Sequence, residues 1–161
     1  MKRSLSVNEV ADLVGRLEKH PCSPRQVRHL LVTGGLATDP QQRRRGQTRL
    51  YDLLDVAFVR LAVRLRHEGI SPWVARAVLT YLQNDITRAW KAAAPLALSV
   101  EGMRGRLEPA AKSKPGRAAA WIPLRDIWRG LDNELRRVCD ARDTLWMWRH
   151  VPVKDIPNPY V

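Results

Sequence analysis

Apolar residues recur at helical spacing in five stretches of the chain, and a polar residue suited to a helix start precedes four of them. Ser6 and Ser23 each stand three residues before a glutamate or glutamine, which is the spacing of a capping box. Asp52 opens a third stretch, and Ser71 precedes Pro72 just as Ser23 precedes Pro24. The pattern predicts helices from Ser6 to about Leu17, from Ser23 to Gly34-Gly35, from Asp52 to about Glu68 and from Trp73 to at least Gln83.

The spacing within each stretch also predicts which side of the helix is buried. In the third helix the predicted buried face is Leu54, Phe58, Leu61, Ala62 and Leu65, and the predicted outer face carries Arg60, Arg64 and Arg66. In the fourth helix the predicted buried residues are Val74, Ala77, Val78 and either Tyr81 or Leu82. These helices supply enough apolar surface for a real core.

The second half of the chain has a weaker pattern until its last part. Leu96 to Val100 and Ala118 to Ile122 are short apolar runs that predict a pair of strands. Gly102 to Arg117 is rich in glycine, proline and basic residues without periodicity, which predicts a mobile loop. We therefore expect a small α/β or helical region after the first four helices.

From Leu124 onward, apolar residues recur with a period of 3.5 over three heptads, interrupted only by Arg142. This period favours a long dimerisation helix whose seam is Leu124, Trp128, Leu131, Leu135, Val138 and Leu145. The alternative is a core helix that packs on residues 84–122 of its own chain. Trp121, Trp128, Trp146 and Trp148 suit core or interface positions, and a pocket for an aromatic or cationic effector is the less favoured interpretation.

The charge balance changes the picture, because the 161 residues carry a net charge of +12 and a sequence pI near 10.8. Such a surplus favours binding to polyanions, and nucleic acid is a better candidate than a membrane surface. Residues 1–70 hold 13 basic and 7 acidic residues, and residues 71–161 hold the remaining 15 and 9, so each half has a surplus of 6. The surplus is therefore not confined to the first four helices.

Several classes of protein are not expected from this sequence. There is no phosphate-binding glycine loop, no zinc-protease motif and no nucleophile elbow, so we do not expect an enzyme. Cys22 and Cys139 have no companion motif, and we expect neither a metal site nor a cofactor. Without a signal peptide or a membrane-spanning run, a cytoplasmic location is expected.

The second predicted helix and the basic segment after it are the best candidates for contact with DNA. Arg25, Gln26 and His29 lie on the predicted helix, and arginine and glutamine have the geometry to bridge guanine and adenine. The segment from Leu36 to Tyr51 contains turn signals, and the polar and basic residues between them cannot form a hydrophobic core. This composition is typical of a hairpin wing that lies along a phosphate backbone. The residues expected at phosphates are Arg28, Arg43, Arg44, Arg45, Arg49 and Tyr51.

Residues 6–83 resemble the DNA-binding domain of the MerR family of transcriptional regulators. The resemblance consists of a first helix S-V-N-E-V-A-D-L-V-G, the S-P-R-x-x-R stretch at 23–28, Gly35-Leu36, R-x-Y at 49–51 and L-R-H-E-G-I-S at 65–71. It implies a winged helix-turn-helix over residues 1–83, followed by a C-terminal dimerisation or effector region over 84–161. The turn between Gly15 and Ser23 is longer than the family pattern, and no long dimer helix follows the fourth helix at once.

We therefore expect a mainly α protein that acts as a sequence-specific, DNA-binding transcriptional regulator, as a homodimer on a palindromic site of double-stranded DNA. The alternative is an architectural DNA-binding protein for segregation, recombination directionality or packaging, built on the same winged helix. A small-molecule sensor based on the tryptophan-rich end is a third hypothesis.

Overall fold

A computed structural model describes residues 5–33, 36, 51–111 and 114–138, with side chains in the last helix described as far as Leu131. Within these ranges the chain forms five α-helices and a three-stranded antiparallel sheet. The elements are α1 (Val7–Glu18), α2 (Pro24–Arg28) with a π-helical turn (His29–Thr33), α3 (Leu53–His67), α4 (Pro72–Lys91), β1 (Leu96–Glu101), β2 (Arg104–Pro109), β3 (Ala120–Pro123) and α5 (Leu124–Val138).

The helix starts in the first half lie where the cap residues predict them. Ser6 and Ser23 each form a complete capping box, in which the cap hydroxyl accepts the backbone N–H of the residue three positions later. The side-chain oxygen of that later residue accepts a hydrogen bond from the backbone N–H of the cap residue. Asp52 and Asp55 form the same reciprocal pair at α3, and the Ser71 hydroxyl caps α4 at Val74. The predicted start of α4 is therefore one residue late, and the other three are confirmed.

Helix α3 is the centre of the fold, since twelve of its fifteen residues are buried. All five apolar residues predicted for its inner face are among them. Its Phe58 ring meets the Trp90 ring edge to face, with centroids 5.0 Å apart. Trp90 in turn stacks on Trp128 at 5.8 Å and donates its indole N–H to the Leu124 carbonyl at 3.0 Å. A single hydrophobic core thus joins α3, α4 and α5.

Helix α4 includes residue 83, the predicted boundary between two domains, and continues without a break to Lys91. Buried residues from α1 through Leu131 of α5 belong to one hydrophobic cluster. The division into two domains stays a prediction.

The sheet has the strand order β2-β1-β3, with both pairings antiparallel. Leu98 in the central strand lies opposite Leu107 on one side and Ile122 on the other. The predicted pairing of the two apolar runs is therefore confirmed by β1 and β3. The prediction of a mobile loop over 102–117 was wrong for Arg104–Pro109, because this segment pairs along its whole length with β1.

Two predictions about buried faces also need correction. Arg60 was expected outside, but it is only 5% exposed, and its guanidinium reaches Glu18 and the Ile127 carbonyl. In α4 Val78 is buried as predicted, and of the two alternatives Leu82 is buried whereas Tyr81 is 84% exposed. Ala77, however, is exposed and Val74 is only half-buried. The α4 residues that enter the core are Ala75, Val78, Leu79, Leu82, Ile86, Ala89 and Trp90.

The predicted dimer seam begins in α5, and its first three residues lie in the core of their own chain. Leu124 is 1% exposed, Trp128 3% and Leu131 1%. For these residues the alternative interpretation, a core helix, describes the structure. The side chains of Leu135 and Val138, and the whole of Leu145, lie outside the described residues. No described helix is long and apolar enough to span a membrane.

Candidate nucleic-acid interface

Helix α2 is anchored on its inner side and carries cations on its outer side. Val27 is fully buried and Leu31, in the π-helical turn, is 1% exposed, so these two residues fix the helix to the core. Arg25, Arg28 and His29 are exposed. The capped start and the apolar anchor therefore present the basic residues to solvent, as the sequence pattern predicts.

Gln26 has a structural role beside the one expected of it. Its Oε1 atom accepts the backbone N–H of Ser23 at 2.8 Å, as the second half of the capping box. A glutamine oxygen has two lone pairs and the amide nitrogen carries two donors, so this capping bond and a contact with adenine do not exclude each other. The structure therefore adds the positioning of α2 to the role of Gln26, and its contact with a base stays a prediction.

The predicted wing begins and ends in the core of the protein. Leu36 is fully buried, and its carbonyl accepts a hydrogen bond from the Gln83 side chain at 3.1 Å. At the other end, Tyr51 exchanges two backbone hydrogen bonds with Leu5, at 2.8 and 2.9 Å. Arg43, Arg44, Arg45 and Arg49 lie outside the described residues.

Tyr51 was expected to contact a phosphate, but its side chain is buried. The residue is only 2% exposed and belongs to the hydrophobic core. A phosphate-binding side chain must present its donor at the surface. In this structure Tyr51 instead fastens the end of the predicted wing to the strand-like segment at Leu5.

A concave basic surface lies beside α2, between α2, the end of α3 and the start of α4. It encloses a cavity of about 510 Å³. The polar residues that line it are Arg25, Gln26, Arg28, His29, Arg66 and Arg76. The apolar residues that line it are Leu30, Ala62, Pro72 and Ala75. We call this the α2–α4 cavity. The sequence predicts that Arg66 points outward. It does not predict that Arg66 and Arg76 lie beside α2.

The electrostatics of the α2–α4 cavity are one-sided. Four guanidinium groups and one imidazole line it, and none of its lining residues is acidic. Among the described residues, no salt bridge or hydrogen bond engages the side chains of Arg25, Arg28, Arg66 or Arg76. These cations are therefore available to an anionic partner.

Two other arginines on α3, Arg60 and Arg64, form ion pairs with a buried carboxylate. Glu18 is 2% exposed at its side chain, and it bonds Arg60 Nε at 2.6 Å and Arg64 Nε at 2.7 Å. Burial alone would raise the pKa of Glu18, but the hydrogen bonds and charges of Arg64 and Arg60 outweigh it and hold that pKa below its ordinary value. A β-carbon at Gly130 would overlap the Arg60 guanidinium, so this glycine leaves room for it in α5.

The long turn between α1 and α2 is packed against the end of α3. Lys19 ends α1 in the left-handed conformation, and the following His20 ring meets the His67 ring edge to face at 4.6 Å. Burial raises the pKa of the neighbouring Cys22 thiol, and the charge of Arg66 opposes the rise. The His20–His67 contact thus packs this turn against the end of α3. Within the described part of the chain, no group of three or more histidine, cysteine or acidic side chains could hold a metal ion.

Comparison of the chain with protein-family models, with curated proteins and with solved structures found no match in any of the three.

Proposed function

We propose that this protein is a sequence-specific DNA-binding transcriptional regulator. The observation that carries the proposal is the cluster of arginines around a capped, core-anchored helix, whose side chains have no ion-pair or hydrogen-bond partner among the described residues. Arg25 and Arg28 stand on α2, and Arg66 reaches the same surface from α3. A short helix with exposed arginines and flanking cations from a second helix is a suitable arrangement for groove contacts held in place by phosphate contacts.

The residues divide by the chemistry they offer to a duplex. Arg25, near the start of α2, is the best candidate for a base edge, because its guanidinium can bridge the O6 and N7 atoms of guanine. His29 is exposed on the following turn and is a further candidate. Arg28, Arg66 and the four wing arginines are proposed to contact phosphates. Gln26, which also caps α2, stays a candidate for a base edge. This division follows the MerR-type arrangement expected from the sequence, without the buried Tyr51.

The proposal is tested by selecting bound fragments from genomic DNA and then titrating variants on the selected duplex. Arg25→Ala should cost about 1–3 kcal/mol on that duplex and relax the choice of base at one position. Arg44→Ala should weaken binding to all sequences alike and reduce the salt dependence by about one counterion. Equal losses on the selected duplex and on random duplex for both variants would refute this division.

We propose that the protein acts as a homodimer. A homodimer on a palindrome would double the half-sites and raise the affinity of a small winged helix. Leu124, Trp128 and Leu131 of the predicted seam pack in the core of their own chain in this structure. Residues of the predicted seam beyond Leu131 are therefore the better candidates for the contact between two copies.

The same observation gives weight to the architectural alternative, in which the protein coats or bends DNA without a palindromic operator. Footprinting separates the two functions. One or two discrete protected sites with two-fold symmetry support a regulator. Long protected arrays that grow cooperatively with protein concentration support an architectural role.

A further inference from the structure

The α2–α4 cavity has features that contact with a DNA backbone does not explain. Its volume of about 510 Å³ lies within the range of small-molecule sites. Its floor is apolar: Ala62 and Ala75 are each 1% exposed, and Leu30 packs against the hydrophobic core beside them. A phosphodiester requires donors at a surface, but it gains nothing from an apolar floor.

We propose that this cavity binds a small organic anion with a planar or aliphatic apolar body. The body rests on Leu30, Ala62 and Ala75, and the anionic group is held by Arg76 and Arg66. Arginine is well suited to this role, because its planar fork can donate two parallel hydrogen bonds to a carboxylate or sulfonate. The small side chains at 62 and 75 leave the space that the apolar body fills.

The lining also indicates which ligands are excluded. Four guanidinium groups without a neighbouring carboxylate repel a cationic ligand. A neutral apolar ligand would leave the guanidinium groups that line the cavity without a partner. A fully polar anion such as sulfate would not use the apolar residues. The combination of apolar and guanidinium lining therefore selects an amphipathic anion.

Occupancy of the cavity should oppose DNA binding, and this part of the inference rests on the proposed function. Arg25 and Arg28 line the cavity and also lie on the helix proposed to enter the groove. An anion held there neutralises part of the charge that attracts phosphates and stands next to α2. The ligand and the duplex then compete for one surface, without a change of fold elsewhere.

The first experiment measures the ligand alone, on the full chain and without DNA. The probe is anilinonaphthalene sulfonate, titrated by isothermal calorimetry, with the neutral N-phenylnaphthylamine as the uncharged analogue. We expect one saturable site for the sulfonate and binding at least about tenfold weaker for the neutral analogue, the equivalent of one charge-assisted hydrogen bond. Absence of a saturable site, or equal affinity for both probes, overturns the proposal.

Variants then locate the site. Arg76→Gln should weaken the sulfonate at least about tenfold, and Arg88→Gln, which removes an exposed arginine farther along α4, should leave it unchanged. Ala75→Trp should abolish binding by filling the cavity, and Ala77→Trp, at an exposed position of the same helix, should not. If Ala75→Trp does not fold, the comparison of Arg76→Gln with Arg88→Gln decides. An unchanged affinity in Arg76→Gln contradicts the assignment.

The second experiment adds the selected duplex labelled for fluorescence anisotropy. The sulfonate should raise the apparent Kd for DNA in the native protein and do so much less in Arg76→Gln. If the native protein binds no duplex, the proposed function fails while the calorimetric result for the cavity stands. If probe and duplex bind independently, the shared surface is wrong although each site remains.

Discussion

Substitution of Glu18 by glutamine tests the ion cluster that holds α2 in place relative to the rest of the fold. Glu18 is the last residue of α1, and its carboxylate bonds two arginines of α3. One of these, Arg60, also donates to the Ile127 carbonyl of α5. The cluster thus connects three helices, and the turn that follows Glu18 leads directly into α2.

The magnitude follows from how deeply each partner is buried. Glu18 accepts hydrogen bonds from Arg60 Nε and Arg64 Nε at 2.6 and 2.7 Å, and a third from Arg64 Nη2 at 3.2 Å. Glutamine keeps the shape but turns an amide N–H group towards one guanidinium. Arg64 is 31% exposed at its side chain and can recover water, whereas Arg60 is 7% exposed and cannot. Breaking a buried pair costs about 3–5 kcal/mol, and we expect roughly 3 kcal/mol here because the Arg64 side chain is 31% exposed and can be rehydrated.

The assay is urea denaturation at about pH 7, supported by a melting curve. For a chain of this size, a loss of about 3 kcal/mol corresponds to a drop of roughly 6–12 °C in Tm. The carboxyl's pKa is lowered in the folded state, so its contribution is fully present above the unfolded value of 4.5 and is lost as the pH falls through the lower folded value. The difference between native protein and Glu18→Gln should therefore be constant above about pH 5 and shrink in acid.

Glu9→Gln is the matched control, because it makes the same substitution in the same helix at an exposed capping position. Glutamine can still accept the Ser6 N–H, so we expect a change within about 0.5 kcal/mol. If Glu18→Gln lost as little stability as Glu9→Gln at neutral pH, or if its loss did not shrink in acid, the ion cluster would not stabilise the packing of α1 on α3 and α5.

Two further predictions concern the elements beside the interface. Ser23→Ala removes the hydroxyl that caps α2 and should cost about 1 kcal/mol in urea denaturation; an unchanged midpoint would show that the cap is unimportant. Gly105→Ala places a methyl group against Val78 Cγ1, where β2 packs on α4, and should cost about 1–3 kcal/mol. The Gly105→Ala/Val78→Ala double variant should lose less stability than the sum of the losses in the two single variants. A loss equal to that sum would mean that the contact is absent.

The helix starts and much of the core could be predicted from the sequence, because their causes are local. A serine or aspartate followed three residues later by an acceptor side chain fixes a helix start within four residues. The apolar stripe of α3 is correct because the helix is long and buried on almost every side. Such features need no knowledge of what lies elsewhere in the chain.

The errors have causes that are distant in sequence. Arg60 was placed outside because it is charged, and its buried partner, Glu18, stands 42 positions earlier. The strand Arg104–Pro109 was predicted as a loop because of its glycine, proline and arginine content, but pairing with β1 and close packing on α4 stabilise it. A heptad-like spacing is equally suitable for a core helix, which is why the first residues of the dimer seam proved to be interior.

The sequence predicts only those residues of the candidate site that belong to the local pattern of α2. Arg25 and Arg28 follow directly from the capped helix pattern and are exposed as expected. Arg66 and Arg76 belong to other helices, and only tertiary packing brings them beside α2. The capping role of Gln26 was visible in the sequence as the capping box, because the serine and the glutamine that form it are only three positions apart.

If the surface around α2 binds duplex DNA through Arg25, Arg28 and Arg66, the salt dependence of binding is the most direct test. The full chain is titrated with the selected duplex over a range of salt concentrations, as native protein, as Arg28→Gln/Arg66→Gln and as Arg88→Gln/Arg104→Gln. The last variant loses the same charge at exposed positions away from the α2–α4 cavity. We predict that the slope of log K against log salt falls by about two for the first variant and stays unchanged for the second. No binding at low ionic strength, or equal slopes in all three proteins, would contradict the account.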